Sequence, residues 1–359
     1  VTDSNLHIVV GGCHGSEGKG GICGWLHSQH KYAWAARVGG PNAGHTVWKD
    51  GKRYALQQLP VAAVMDPACG LIIAAGSEVD LEILFREINE VQKGTGHEVG
   101  GRLIVDETAT ILTPEHGATE AAITTGTTGK GIGAARADRA LRRAFLVGDL
   151  AEYQWNSETG SVARGDTQSM LRDAAAAGDM ILIEGAQGYG LGTHAGAYPF
   201  VTSGDCRAID AMAACGLPPM AAQVWVVLRT YPIRIAGNSG PLKNETSWSE
   251  LGLEPEITTV TKKIRRIGEW DWELARQSVQ ANGGANVQIA LTFVDYWDRE
   301  LAGMHTTNTN LQPSCNHDSW SREQLSDLLR AQINEIEERL DAPVSVLGTG
   351  PYTYIKLEN

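Results

Sequence analysis

With 359 residues and 42% apolar composition, the chain can bury a substantial core. Its net charge of −12, with basic residues clustered only locally at Lys262, Lys263, Arg265 and Arg266, excludes a nucleic-acid surface and points to small anions as partners. No apolar run reaches membrane-spanning length, residues 1–5 carry no leader pattern, and the six cysteines form no C-x-x-C pair, so a cytoplasmic protein without membrane attachment, disulfide framework or zinc finger is expected.

Taken in chain order, short apolar runs at 6–10, 71–74, 103–105, 180–183, 224–228, 287–291 and 344–347 read as buried strands. Amphipathic stretches lie between several of them, as at Leu81, Leu84, Phe85 and Ile88. Near-continuous apolar strands alternating with helices imply an α/β fold, a mainly parallel central sheet flanked by helices. No interior stretch reads as a boundary, so residues 1–359 are taken as one catalytic domain. Residues 304–318 contain almost no apolar side chains and read as a surface loop. A last helix is expected to start at a Ser321/Gln324 capping box, with Leu325, Leu328, Leu329, Ile333, Ile336 and Leu340 on one face.

The chemistry-bearing residues concentrate at strand ends. Gly15-Ser16-Glu17-Gly18-Lys19-Gly20 follows the first strand, where backbone N–H groups and Lys19 can approach phosphate oxygens. An ordinary phosphate loop would need glycine in place of Cys13 and Ser or Thr in place of Gly20. Two dozen residues later comes Gly39-Gly40-Pro41-Asn42-Ala43-Gly44-His45-Thr46, whose histidine can carry a proton near neutral pH. Glu184-Gly185-Ala186-Gln187-Gly188, Thr292-Phe293-Val294-Asp295 and Gly348-Thr349-Gly350-Pro351 follow later strands. In open α/β sheets ligands bind outside the carboxyl ends of strands, which is where these motifs fall.

These segments, together with Gly126-Thr127-Thr128-Gly129, Arg142-Arg143 and Thr202 in YPFVTS, resemble the adenylosuccinate synthetase family over nearly the whole chain. The departures from the family pattern resemble its phage branch, the 2-aminoadenylosuccinate synthetases. Ser16 stands where the family has an aspartate, Phe293 where it has a lysine, and Gly348 and Tyr352 where it has guanine-reading Ser and Asp. The resemblance implies a ligase joining L-aspartate to dGMP with ATP or dATP, through a 6-phosphoryl intermediate, in the host cytoplasm if the chain is viral. The alternatives are an ordinary synthetase using IMP and GTP, or a nucleotide-sensing protein without chemistry.

By the same resemblance, Ser16, Lys19, His45 and Gln187 carry catalysis. Ser16, Asn42, Thr127, Thr128, Arg142, Gln187 and Thr202 bind the monophosphate, and Arg142 does so across a homodimer. Val260, Thr261, Lys263 and Arg265 bind aspartate. Glu17, Gly18, Lys19, Gly20, Gly44, His45, Thr46, Phe293, Asp295, Gly348 and Gly350 bind ATP. Mg2+ meets Ser16 and the Gly44 carbonyl.

Overall fold

The computed structural model describes all residues except 1–3, 124, 153–154, 156–161, 258–262, 300, 302–315, 351 and 359, and only the backbone at 316–318. In chain order its strands begin β1 (Leu6–Gly11), β2 (Trp34–Arg37), β3 (His45–Lys49), β4 (Lys52–Leu56), β5 (Gly70–Ile73), β6 (Glu78–Val79), β7 (Leu103–Asp106), β8 (Thr110–Ile111) and β9 (Ala163–Gly165). They continue with β10 (Ile181–Glu184), β11 (Gln223–Arg229), β12 (Ile233–Arg234), β13 (Glu245–Thr246), β14 (Arg266–Gly268), β15 (Gln288–Thr292), β16 (Asn316–Trp320), β17 (Val344–Thr349) and β18 (Thr353–Leu357).

Among the described residues, eleven strands form one sheet in the order β16-β18-β17-β15-β11-β1-β10-β2-β5-β7-β9, and its neighbours are parallel except β17 and β18. All seven apolar runs lie in it. Along β1, Leu6, Ile8 and Val10 join one core with Ile181, Ile183, Val226 and Leu228, while Val9 joins the opposite core with Leu182, Trp225 and Val227. The pleat sends successive side chains to opposite faces. Helices cover both faces, so both sets must be apolar and the strands read as continuous runs.

The first helix, Lys19–Gln29, follows the loop after β1 and opens on Gly18, whose φ of 89° favours glycine. A Cβ on Gly20 would come within 2.8 Å of His45 Cβ and of the Thr46 backbone. Glycine there lets the helix backbone lie directly against β3, which brings the two sequence motifs together.

Four sequence expectations are corrected. Residues 316–318 begin the edge strand β16, paired with β18, rather than ending a loop; the rest of the expected loop, 304–315, lies outside the described residues. The Ser321/Gln324 box is formed, yet it caps a single 3₁₀ turn, Arg322–Gln324, and the helix proper runs Asp327–Leu340 with Ser326 as its N-cap. Ser326 takes the Leu329 N–H, so the chain breaks between two competing caps. Leu328 and Phe85 are exposed, and Ile83 turns inward beside Leu84 and Ile88 instead.

Candidate active site

Four motifs do meet at the carboxyl edge of β1, β10, β15 and β17. The loop after β1 is organised from within by Glu17, fully buried, whose Oε1 accepts the N–H groups of Cys13 at 3.2 Å and Gly15 at 2.7 Å. Its Oε2 accepts from Lys19 Nζ at 2.6 Å, and that ammonium also donates to the Gln187 carbonyl at 2.5 Å. The Glu17 carboxylate is thus spent inside the loop, leaving its backbone to face a nucleotide. Ser16, with φ 57°, stands at the tip.

Behind the loop, His45 is buried at the start of β3, with Nδ1 2.9 Å from Glu184 Oε2 and the Arg37 guanidinium against the same nitrogen. Glu184 Oε1 accepts the Val61 N–H at 2.7 Å. Burial, with the Arg37 and Lys19 cations adding to it, pushes His45 well below the ordinary imidazole value. Burial likewise raises Glu184 to about 7 against the opposing pull of Arg37 and the Val61 N–H. The two groups are coupled, lying within hydrogen-bond distance of each other in a buried site. His45 is thus held toward its neutral form, with Nε2 a buried atom without a partner among the described residues.

A pocket with an interior of about 180 Å³ opens beside these groups, and Asn42, Gln187 and Thr202 line it with Arg136, Asp205 and Arg207. Arg136 pairs with Glu78 at 2.6 Å and Arg207 with Asp205 at 2.9 Å. Thr127 and Thr128 stand on a separate loop. Thr127 Oγ1 donates to Glu120 Oε2 at 2.9 Å, and the same carboxylate accepts the Gly131 and Gly133 N–H groups. Arg142 is exposed, with φ 62°.

On the other side of Ser16, Arg265 Nη1 donates to Ser16 Oγ at 2.6 Å, and Arg229 Nη1 donates to the Ser16 carbonyl at 3.0 Å. Phe293 leaves β15 with φ 61°, its ring half-buried, with the Arg229 guanidinium 4.0 Å from its centroid. Asp295 Oδ1 accepts the Gly350 N–H at 3.0 Å, tying TFVD to GTGP. Gly348 is not in that loop, since β17 continues through Thr349. Lys263 is exposed, whereas Val260 and Thr261 lie outside the described residues.

Sequence reasoning missed Arg37, Glu184, Arg229 and Glu256 as members of the site. Glu184 and Arg37 each end an apolar strand, and a charged residue closing a buried strand was the available signal. Glu256 lies in a loop with no periodicity, and nothing local marks it.

The adenylosuccinate synthetase family model matches residues 8–159 and 157–302. The adenylosuccinate synthetase of Thermococcus sibiricus is 37% identical over 357 residues, covering 96% of each chain. That of Methanocaldococcus jannaschii is 36% identical over 354 residues, covering 96% of this chain and 94% of its own. Among solved structures, cyanophage S-2L succinoaminodeoxyadenylate synthetase (PurZ), bound to dGMP and to dATP as an energy donor, superposes with a TM-score of 0.79 at 30% identity, covering 97% of this chain and 93% of that one. The fully ligated adenylosuccinate synthetase of Plasmodium falciparum gives 0.78 at 22% identity, over 98% and 100% of the two chains, a likeness of fold. Motif order, sheet topology and these matches agree that the chain belongs to the adenylosuccinate synthetase family of C–N ligases.

Proposed function

We propose that this ligase joins L-aspartate to dGMP with hydrolysis of ATP or dATP, giving 2-amino-2′-deoxyadenylosuccinate, phosphate and the nucleoside diphosphate, as in phage diaminopurine DNA synthesis. The observation that carries the reading is Ser16, a neutral hydroxyl at the loop tip held by Arg265 at 2.6 Å. Guanine differs from hypoxanthine by an amino group at C2, beside N1. A carboxylate at position 16 would crowd that group, whereas the shorter hydroxyl leaves room and can accept a hydrogen bond from it. The phage enzyme with dGMP and dATP bound lends support from a relative.

In this reading Asn42, Thr202 and Gln187 hold the monophosphate and base, and Thr127, Thr128 and the partner's copy of Arg142 complete the phosphate subsite. The γ-phosphate passes to the purine 6-oxygen as the N1 proton passes to solvent water or a phosphate oxygen, and the aspartate amine then attacks C6, losing its proton to solvent as phosphate is expelled. Lys19 and the N-terminus of the first helix stabilise charge on the triphosphate. The anion raises the proton affinity of His45, which donates to the oxygen while Glu184 and Arg37 fix its ring. Arg265 offers a fork to the dicarboxylate and Lys263 a point charge. Phe293, Asp295, Gly348 and Gly350 border the donor base.

Magnesium fits the donors available. Ser16 Oγ and the carbonyl of exposed Gly44 are hard, neutral oxygens, and phosphates would complete the shell. Bound there, it would neutralise charge on the transferring phosphoryl group.

A second reading, an ordinary synthetase using IMP and GTP, is favoured by the archaeal relatives. Phosphate release and product masses for dGMP, GMP and IMP, each with ATP, dATP or GTP plus aspartate and magnesium, separate the two. A succino-adduct from dGMP with ATP or dATP is expected; turnover confined to IMP with GTP sinks the proposal.

A further inference from the structure

The segments 256–257 and 264–265 pair with each other in a narrow neck. The Arg265 N–H donates to the Glu256 carbonyl at 2.9 Å, and Ile257 bridges Ile264. The Glu256 side chain reaches from this neck to two other segments and lies beside the Arg265 guanidinium. Its Oε1 accepts from Arg229 Nη2 at 2.5 Å and from the Tyr296 hydroxyl at 3.0 Å, and its Oε2 lies 3.8 Å from Arg265 Nε. The two arginines hold Ser16 at its carbonyl and at its Oγ. Arg229 also stacks on Phe293, and Tyr296 sits on the same turn as Phe293 and Asp295. One carboxylate therefore touches the dicarboxylate loop, the cation that holds the phosphate loop, and the turn at the donor base.

We propose that Glu256 is a positioning residue that couples dicarboxylate binding at Arg265 to donor-nucleotide binding at the 293–296 turn. The inference rests on the reading of those two subsites given above. Arg229 has no exposed side-chain surface and Glu256 is its ion-pair partner, so its guanidinium follows the carboxylate. A substrate carboxylate that engages Arg265 competes with Ser16 for its Nη1–H and with Glu256 for its charge. The carboxylate is planar and is pinned by Arg229 and Tyr296 at its other oxygen. A shift in its share of Arg265 is therefore passed to Ser16 and to the turn, and by linkage the effect runs both ways. Burial works against the charge on Glu256, and Arg229 and Arg265 outweigh it, holding the carboxyl below its usual value and ionised at neutrality.

The test is equilibrium binding of a non-hydrolysable ATP analogue, with the purine monophosphate present, in the absence and presence of saturating L-aspartate. In the unmodified protein aspartate should tighten the analogue about fivefold or more. In Glu256→Gln the factor should fall toward one while the analogue still binds in the absence of aspartate, a pattern that general loss of structure does not produce. Tyr296→Phe removes one arm without leaving a charge unpaired and should weaken the coupling too; it decides the matter if Glu256→Gln does not fold. Absence of coupling in the unmodified protein, or full coupling in both variants, overturns the proposal. Running the set with dGMP and with IMP plus a GTP analogue keeps the two ideas apart. A preference for IMP with GTP sinks the substrate reading and still leaves the role of Glu256 to be decided.

Discussion

At the scale of single residues, Ser16 decides most. Its left-handed backbone, φ 57°, is one that aspartate also tolerates, so Ser16→Asp is a test of chemistry without backbone strain. The substitution places a carboxylate beside Arg265 and, in the proposed reading, against the purine edge. We expect the ratio of dGMP to IMP turnover to fall at least about tenfold, equivalent to about 1.4 kcal/mol, read from competing-substrate kinetics. An unchanged ratio would remove Ser16 as the specificity residue. The neighbouring Glu17 shows how little a motif letter says about direction: its carboxylate turns inward to Cys13, Gly15 and Lys19.

At the scale of elements, the first helix joins the site to the core and brings an acid-labile group with it. His27 is buried on it, with both ring nitrogens unpartnered among the described residues, and burial lowers its pKa to about 4. Its folded value lies below the unfolded one near 6.5, so between these pH values the unfolded chain holds a proton that the native chain does not. Stability from this residue is therefore complete above about pH 6.5 and lost as pH falls toward 4, at up to about 1.4 kcal/mol per pH unit. His14, lowered to about 4 by burial and by Arg234, acts in the same direction. Urea unfolding at pH 7, 6 and 5 should show the decline, and His27→Leu should flatten it by about 1 kcal/mol or more over that range. Parallel curves for the two proteins would assign the acid sensitivity elsewhere.

At the scale of the whole molecule, the sheet places the strand-end motifs at one edge but leaves Arg142 exposed and outside the pocket lining. Leu141 and Phe145, close to it in the chain, are exposed as well. If Arg142 acts across a dimer, Arg142→Ala should raise the monophosphate KM roughly tenfold to a hundredfold, the worth of a charged hydrogen bond. Mixing it with Lys19→Ala should then restore activity that neither has alone, since one mixed site is complete; additive activities would place Arg142 in its own subunit's site or in none. No helix among the described residues is long and apolar enough to cross a membrane. The sequence by itself determined the seven apolar strands, the parallel sheet and the family, because burial on both faces and strand-end glycine loops leave local patterns. It also brought Asn42, Gln187 and Thr202 to the pocket. Only the tertiary structure decided that His45 meets Glu184 and Arg37, that Ser321 caps a short turn instead of the helix, and that Glu256 joins Arg229 to Arg265. Those outcomes depend on burial and on charges meeting from segments distant in the chain, which no local pattern records.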